Sequence, residues 1–258
     1  MSSISPMGAS PGKGRALPID HLRASLILLV IAHHAVLAYV SYAPTPGAEW
    51  DAPPMLWRAF PVVDTVRAPA LDLLVAFNDA VLMALLFFLA GLFTWRGLTR
   101  SGALSFFGRR ARRLGLPFIV SAAVLAPLAY YPAYLQHGGV SGFGPYLQAW
   151  LSLTVWPSGP AWFLWVLLAF SGLAALSYRL APGWGEAWGA WLGPLGERPW
   201  AFFGLWVAAS ALVYLPMAYF INPMTWFELG PFTVQTSRIL HYALYFVFGI
   251  GIGAHGTA

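Results

Sequence analysis

The chain has 258 residues, of which 59% are hydrophobic and only 9% charged, with a formal net charge of +5. A soluble domain carries about 25% charged residues, and a mean hydropathy of +0.67 excludes a soluble domain, a disordered chain and a coiled coil. The absence of cysteine excludes disulfides, iron–sulfur clusters and thiolate zinc sites; no metal site and no nucleic-acid partner are expected, because the basic residues lie between apolar stretches as topology signals do.

Residues 1–16 are Ser, Gly, Pro and Ala with Lys13 and Arg15, and read as a disordered tail. Residues 17–258 read as one transmembrane domain. A helix needs about 20 mostly apolar residues to cross the hydrocarbon core. Six stretches qualify or nearly do: Ile19–Val40, Leu71–Trp95, Pro117–Tyr134, Trp162–Leu180, Trp200–Phe220 and Ile239–Ala254. The fold class is therefore all-α, a polytopic transmembrane helix bundle of about six to eight spans. Within Gly183–Leu192, Trp184, Trp188 and Trp191 fall on one helical face, which fits a helix lying in the membrane interface or an ordinary aromatic belt.

Six arginines and no acid occur from Arg96 to Arg113. This reads as a basic loop between the second and third spans, and the positive-inside rule places it in the cytoplasm. The N-terminus is then cytoplasmic as well, and Ser41–Ala70 becomes an external loop.

The first span carries Asp20, His21 and Arg23 near its start and the doublet His33-His34 deep inside. Ionisable residues within a span are costly and are functional candidates by default. Arg23 and His34 are eleven residues apart, so they differ by about 20° around a helix axis and by about 16 Å along it. His33 points roughly 80° away from Arg23. Asp20 precedes Arg23 by three residues, a spacing that allows an ion pair. An imidazole there is suited to accept and return a proton near neutral pH. The bland alternative is a snorkelling arginine and two histidines that hydrogen-bond between helices. Arg109, Arg110, Arg112 and Arg113 offer i, i+3 guanidinium pairs that can chelate phosphate oxygens. They also suit a plain topology signal that touches anionic lipid.

Taken together, Asp20-His21-Leu22-Arg23 followed by His34, the run Phe87-Phe88-Leu89-Ala90-Gly91-Leu92-Phe93, the segment Phe106-Phe107-Gly108-Arg109-Arg110-Ala111-Arg112-Arg113-Leu114 with Pro117, and Gly159-Pro160-Ala161-Trp162-Phe163-Leu164-Trp165 resemble the acyltransferase-3 family of membrane O-acyltransferases, in the family's order. The glucan-modifying, succinyltransferase-type branch is the most similar. The resemblance is good over Leu17–Leu180 and rests on hydropathy beyond. It implies transfer of an acyl group from cytoplasmic acyl-CoA, as co-substrate and with no bound cofactor, to a hydroxyl of a saccharide or other extracytoplasmic acceptor at a bacterial inner membrane. By position His34 matches the essential histidine, Arg23 and Asp20 its motif partners, and His33 is the alternative to His34. Arg109, Arg110, Arg112 and Arg113 would face the CoA head. Family members have more spans than this chain offers, so it is expected to be part of a longer protein. Two other classes remain open on the residues alone: an ion- or proton-coupled transporter using Asp79, Arg23 and His34, and an inactive membrane scaffold.

Overall fold

A computed structural model describes residues 17–45, 50–51, 55–223 and 225–255; the tail expected over residues 1–16 lies outside them. Among the described residues, six helices are long and apolar enough to cross a membrane: Leu17–Tyr39, Ala70–Ser101, Ala103–Gln136, Gly159–Leu180, Pro199–Ile221 and Thr236–His255. The chain is thus a multi-pass all-α bundle, and each expected span is present.

The first span is α1 (Leu17–Val36), and the second is α2 (Ala70–Leu92) prolonged by α3 (Thr94–Ser101). These two run antiparallel. The Arg23 guanidinium lies 4.1 Å from the centroid of the Phe93 ring, and Ser41 N–H donates to Asp72 Oδ1 at 2.9 Å. Leu26 between them is buried against Leu82 and Leu89.

The basic stretch Arg96–Arg113 is helical rather than a loop. α3 ends at Gly102, whose φ of +73° only glycine adopts cheaply, and α4 (Ala103–Arg110) starts at once. The third span then continues without a break through a π turn at Ala111–Gly115, α5 (Leu116–Val120), a second π turn at Ser121–Leu125, α6 (Ala126–Ala129) and α7 (Tyr131–Gln136). The prolines explain both π turns. A proline ring clashes with the carbonyl four residues earlier and leaves it without an N–H partner. Those carbonyls belong to Arg113, before Pro117, and Ala123, before Pro127, and each sits inside one of the widened turns. Hydropathy alone started this span at Pro117 because the arginines mask the helix that precedes it.

α8 (Phe143–Leu151) lies outside the spans, α9 (Trp162–Leu180) is the fourth span, α10 (Trp184–Gly196) is a shorter apolar helix whose one charged residue is Glu186, α11 (Pro199–Ile221) is the fifth span and α12 (Ile239–His255) is most of the sixth. Between α11 and α12 the chain makes one short antiparallel hairpin, β1 (Trp226–Leu229) and β2 (Phe232–Gln235), in register Trp226↔Gln235 and Leu229↔Phe232. Trp165 Nε1–H donates to the Thr233 carbonyl at 3.0 Å and ties this hairpin to α9.

The core lies among α2, α3, α4, α9 and α12. Phe87 is fully buried at its centre, with ring centroids 4.7 Å from Phe163, 4.9 Å from Tyr242 and 5.3 Å from Phe170. α2 and α12 run parallel in near backbone contact, because Gly91 faces the Phe246 carbonyl, Gly249 the Phe88 carbonyl and Gly253 the Leu92 carbonyl. Small residues allow such approach where water gives helices no reason to associate. α10 is packed along α12 rather than lying free on its indole face: Trp184 turns onto Trp95 with centroids 5.1 Å apart, and Trp188 Nε1–H donates to the Val247 carbonyl at 3.1 Å.

The end of the bundle away from the arginines is capped by aromatics. Trp50 and Trp57 stack at 3.9 Å and pack with Tyr130, Tyr134, Tyr146 and Trp150. Gln136 clamps the same loop through both backbone groups of Val63, accepting from its N–H at 3.1 Å and donating to its carbonyl at 2.8 Å.

Candidate functional site

The singled-out residues gather at two levels. At the basic end, Arg23 pairs with Asp20 at 3.9 Å, with side chains 43% and 34% exposed. Such a solvated pair orients more than it stabilises. The Arg23 cation is also held over Phe93, an attraction between positive charge and the ring face. Arg110 is the half-buried member of the arginine cluster, while Arg109, Arg112 and Arg113 are exposed. Its guanidinium sits 5.4 Å from the Phe106 centroid, and its charged neighbours are Arg113 and Arg23. Guanidinium groups from two different spans therefore converge here. Arg109 turns away and donates to the Ser101 hydroxyl. Of the two expected i, i+3 pairs, Arg110 keeps Arg113 as a charged neighbour across the π turn that begins at Ala111, while Arg109 is engaged with Ser101. Arg23 of α1 adds its charge to that of Arg110 from the third span. Three arginines, Arg23, Arg110 and Arg113, share this neighbourhood with one carboxylate, Asp20 on Arg23, and that surplus of positive charge favours an anionic guest.

The second level is deep in the bundle. His33 lies on the side of α1 that packs on α2, with its Nδ1 buried and unpartnered, and His34 lies on the exposed flank that it shares with Arg23. The two rings meet edge to face at 5.2 Å. His34 Nδ1 is 2.8 Å from the Val30 carbonyl. A carbonyl only accepts, so Nδ1 carries the hydrogen, and the neutral ring presents Nε2 as its basic nitrogen. The sequence gives no hint of this backbone anchor beyond the four-residue spacing.

Level with the histidines, Arg238 donates from Nη2 to Asp79 Oδ2 at 2.5 Å and from Nη1 to the Asp79 carbonyl at 3.0 Å. Arg238 is 18% exposed and Asp79 51%. Sequence reasoning reached Asp79 only as part of a transport path and missed Arg238 altogether. The partners are 159 residues apart, so no local pattern links them. The available signal was charge: an acid deep inside the second span, beyond Asp72 at its start, and a cation at the head of the sixth. Nearer the opposite end, the Tyr42 hydroxyl is pushed above its usual range, first by burial and then by the charges of Asp72 and Asp79.

The acyltransferase-3 family model, an acyltransferase domain, matches residues 18–258. No curated protein and no solved structure matches the chain.

Proposed function

The chain belongs to the acyltransferase-3 family and is a membrane acyltransferase, and from that premise we propose that it moves an acyl group from cytoplasmic acyl-CoA to a hydroxyl of a saccharide or similar acceptor across a bacterial inner membrane. The reading rests on one arrangement. Arg23 of α1 and Arg110 of the third span share an end of the bundle, and His34 stands further along the helix that carries Arg23. A cation pair at one end and a base deeper in suit a donor with an anionic head and a reactive tip.

In this mechanism the phosphates of CoA sit on Arg110 and Arg113, whose planar forks bind phosphate oxygens in bidentate fashion. Arg23, oriented by Asp20 and Phe93, completes the anion site. His34 Nε2 removes the proton from the acceptor hydroxyl as that oxygen attacks the thioester carbonyl. The tetrahedral adduct collapses, the carbon–sulfur bond breaks, and the imidazolium returns its proton to the departing CoA thiolate. A route through an acyl-histidine uses the same nitrogen as nucleophile. The test is thioester cleavage by the purified protein in the presence of acceptor. A monodisperse sample that binds acyl-CoA yet never cleaves it would sink the enzyme reading, and substrate-dependent charge movement in its place would favour a transporter.

Orientation is open to labelling. A side chain at Gly108 meets nothing within 4 Å, so a Gly108→Cys substitution in this cysteine-free chain is sterically silent. An impermeant thiol reagent should reach it only after the cytoplasmic face is opened; labelling from outside intact cells would reverse the model. The donor site predicts a kinetic signature. Each charge-assisted bond is worth about 1.5–3 kcal/mol, about tenfold or more in affinity. Arg110→Gln with Arg113→Gln should therefore raise the apparent KM for acyl-CoA by at least about tenfold with unchanged yield, and lysines should restore it only in part. An unchanged KM would leave the cluster as a topology signal.

A further inference from the structure

Asp79 carries a carboxyl group in the middle of a span, paired with Arg238, and its side chain is half exposed. A carboxylate cannot face hydrocarbon, and ionisable groups at this depth face a cavity or one another. Arg238 occupies one carboxylate oxygen, Oδ2, and grips the Asp79 carbonyl as well, so the carboxylate is fixed in place and its other oxygen is not used by that ion pair.

Two fixed points set its height. Arg23 lies on Phe93 and Ser41 on Asp72, and the antiparallel run between them brings the histidine doublet level with the Asp79 turn of α2. Asp79 is also among the charges felt by His33. Polar groups at this level outnumber their partners. His33 Nδ1 and both amide atoms of Asn78 are buried without one, although Asn78 is only 2% exposed. Buried polar atoms in that state are ordinarily met by water or a ligand.

A polar track leads there from the end opposite the arginines. Asp72 precedes Asp79 by seven residues, so it lies about 10 Å nearer that end and about 20° around the axis, on the same face. Asp72 accepts from the backbone N–H and the hydroxyl of Ser41.

We propose that Asp79, clamped by Arg238, is the group that binds the acceptor hydroxyl, at the foot of a water-filled approach lined by Asp72 and Ser41 that ends at the histidines. The ligand is a neutral polyol of the saccharide class, since acids along the track repel anions. The proposal rests on the acyltransfer reading, but its test uses no turnover. A single cysteine is placed at Ala76, on the Asp72–Asp79 face, and at Phe77, on the opposite face. Each full-length variant is treated with a charged methanethiosulfonate, with and without maltoheptaose. Ala76→Cys should react and Phe77→Cys should not, because the reagent needs water, and maltoheptaose should slow the Ala76→Cys reaction at least several-fold. Adding Asp79→Asn should leave labelling intact and remove the protection. The charge-swapped pair Asp79→Arg with Arg238→Asp restores the salt bridge, yet it should also lack protection. No reaction at Ala76→Cys, labelling that the sugar never slows, or protection that survives either change at Asp79 would overturn the proposal. Loss of thioester cleavage with sugar protection intact would instead remove the enzyme reading and leave this binding site standing.

Discussion

Replacing His34 with alanine should reduce acyl transfer by about 10²–10⁴-fold, the usual consequence of losing a general base. The ring is anchored through Nδ1 to the Val30 carbonyl, which leaves Nε2 as the nitrogen that takes the proton. His33→Ala removes a ring on the α1–α2 packing side. An interhelical hydrogen bond in a membrane is worth about 0.6 kcal/mol on average, roughly threefold in rate if it all reached the transition state. The two histidines therefore differ by more than an order of magnitude in expected effect. The measurement is acylation of the acceptor at matched folded amounts, judged by gel filtration. If His34→Ala keeps more than about a third of the wild-type rate, it is not the base. If His33→Ala is the inactive variant, the inward ring beside Asp79 performs the proton transfer, and the shared flank of Arg23 and His34 is a coincidence of helix phase.

Long apolar runs made the spans legible, because a helix is the economical way to satisfy every backbone group inside a bilayer. The motif residues of α1 were legible for a related reason: an arginine and two histidines inside such a run stand out against leucine and valine. The limits of the third span were not, since Arg109–Arg113 lower the hydropathy of a stretch that is helical throughout, and only Pro117 and Pro127 hint at its widened turns. The hairpin over Trp226–Gln235 was hidden too. It is short, and its turn at Gly230 and Pro231 reads as an ordinary loop. Asp79 and Arg238 meet because α2 and α12 run parallel, a tertiary fact that no local spacing encodes.

That parallel contact is where a single change should do most damage to the fold. At Gly249 an added side chain would overlap the Phe88 carbonyl oxygen and crowd the Leu92 nitrogen and the Gly91 Cα at 3.0 and 3.1 Å. Overpacking a core costs about 1–3 kcal/mol when neighbouring side chains can shift. Here the obstacle is the backbone of another helix, whose carbonyls are committed to its own hydrogen bonds. α2 and α12 must then part along their length, which also breaks the Gly91 and Gly253 contacts and pulls Arg238 off Asp79. Gly249→Leu should therefore leave little monodisperse protein in detergent, and Gly249→Ala an intermediate yield. Gly204→Leu provides the control, because a side chain at Gly204 meets nothing within 4 Å and should be accommodated at the wild-type level. The readout is the area of the gel-filtration peak from equal amounts of membrane. A normal peak for Gly249→Leu would mean that α2 and α12 do not touch as closely as these glycines allow, and the register that sets Asp79 against Arg238 would fall with it.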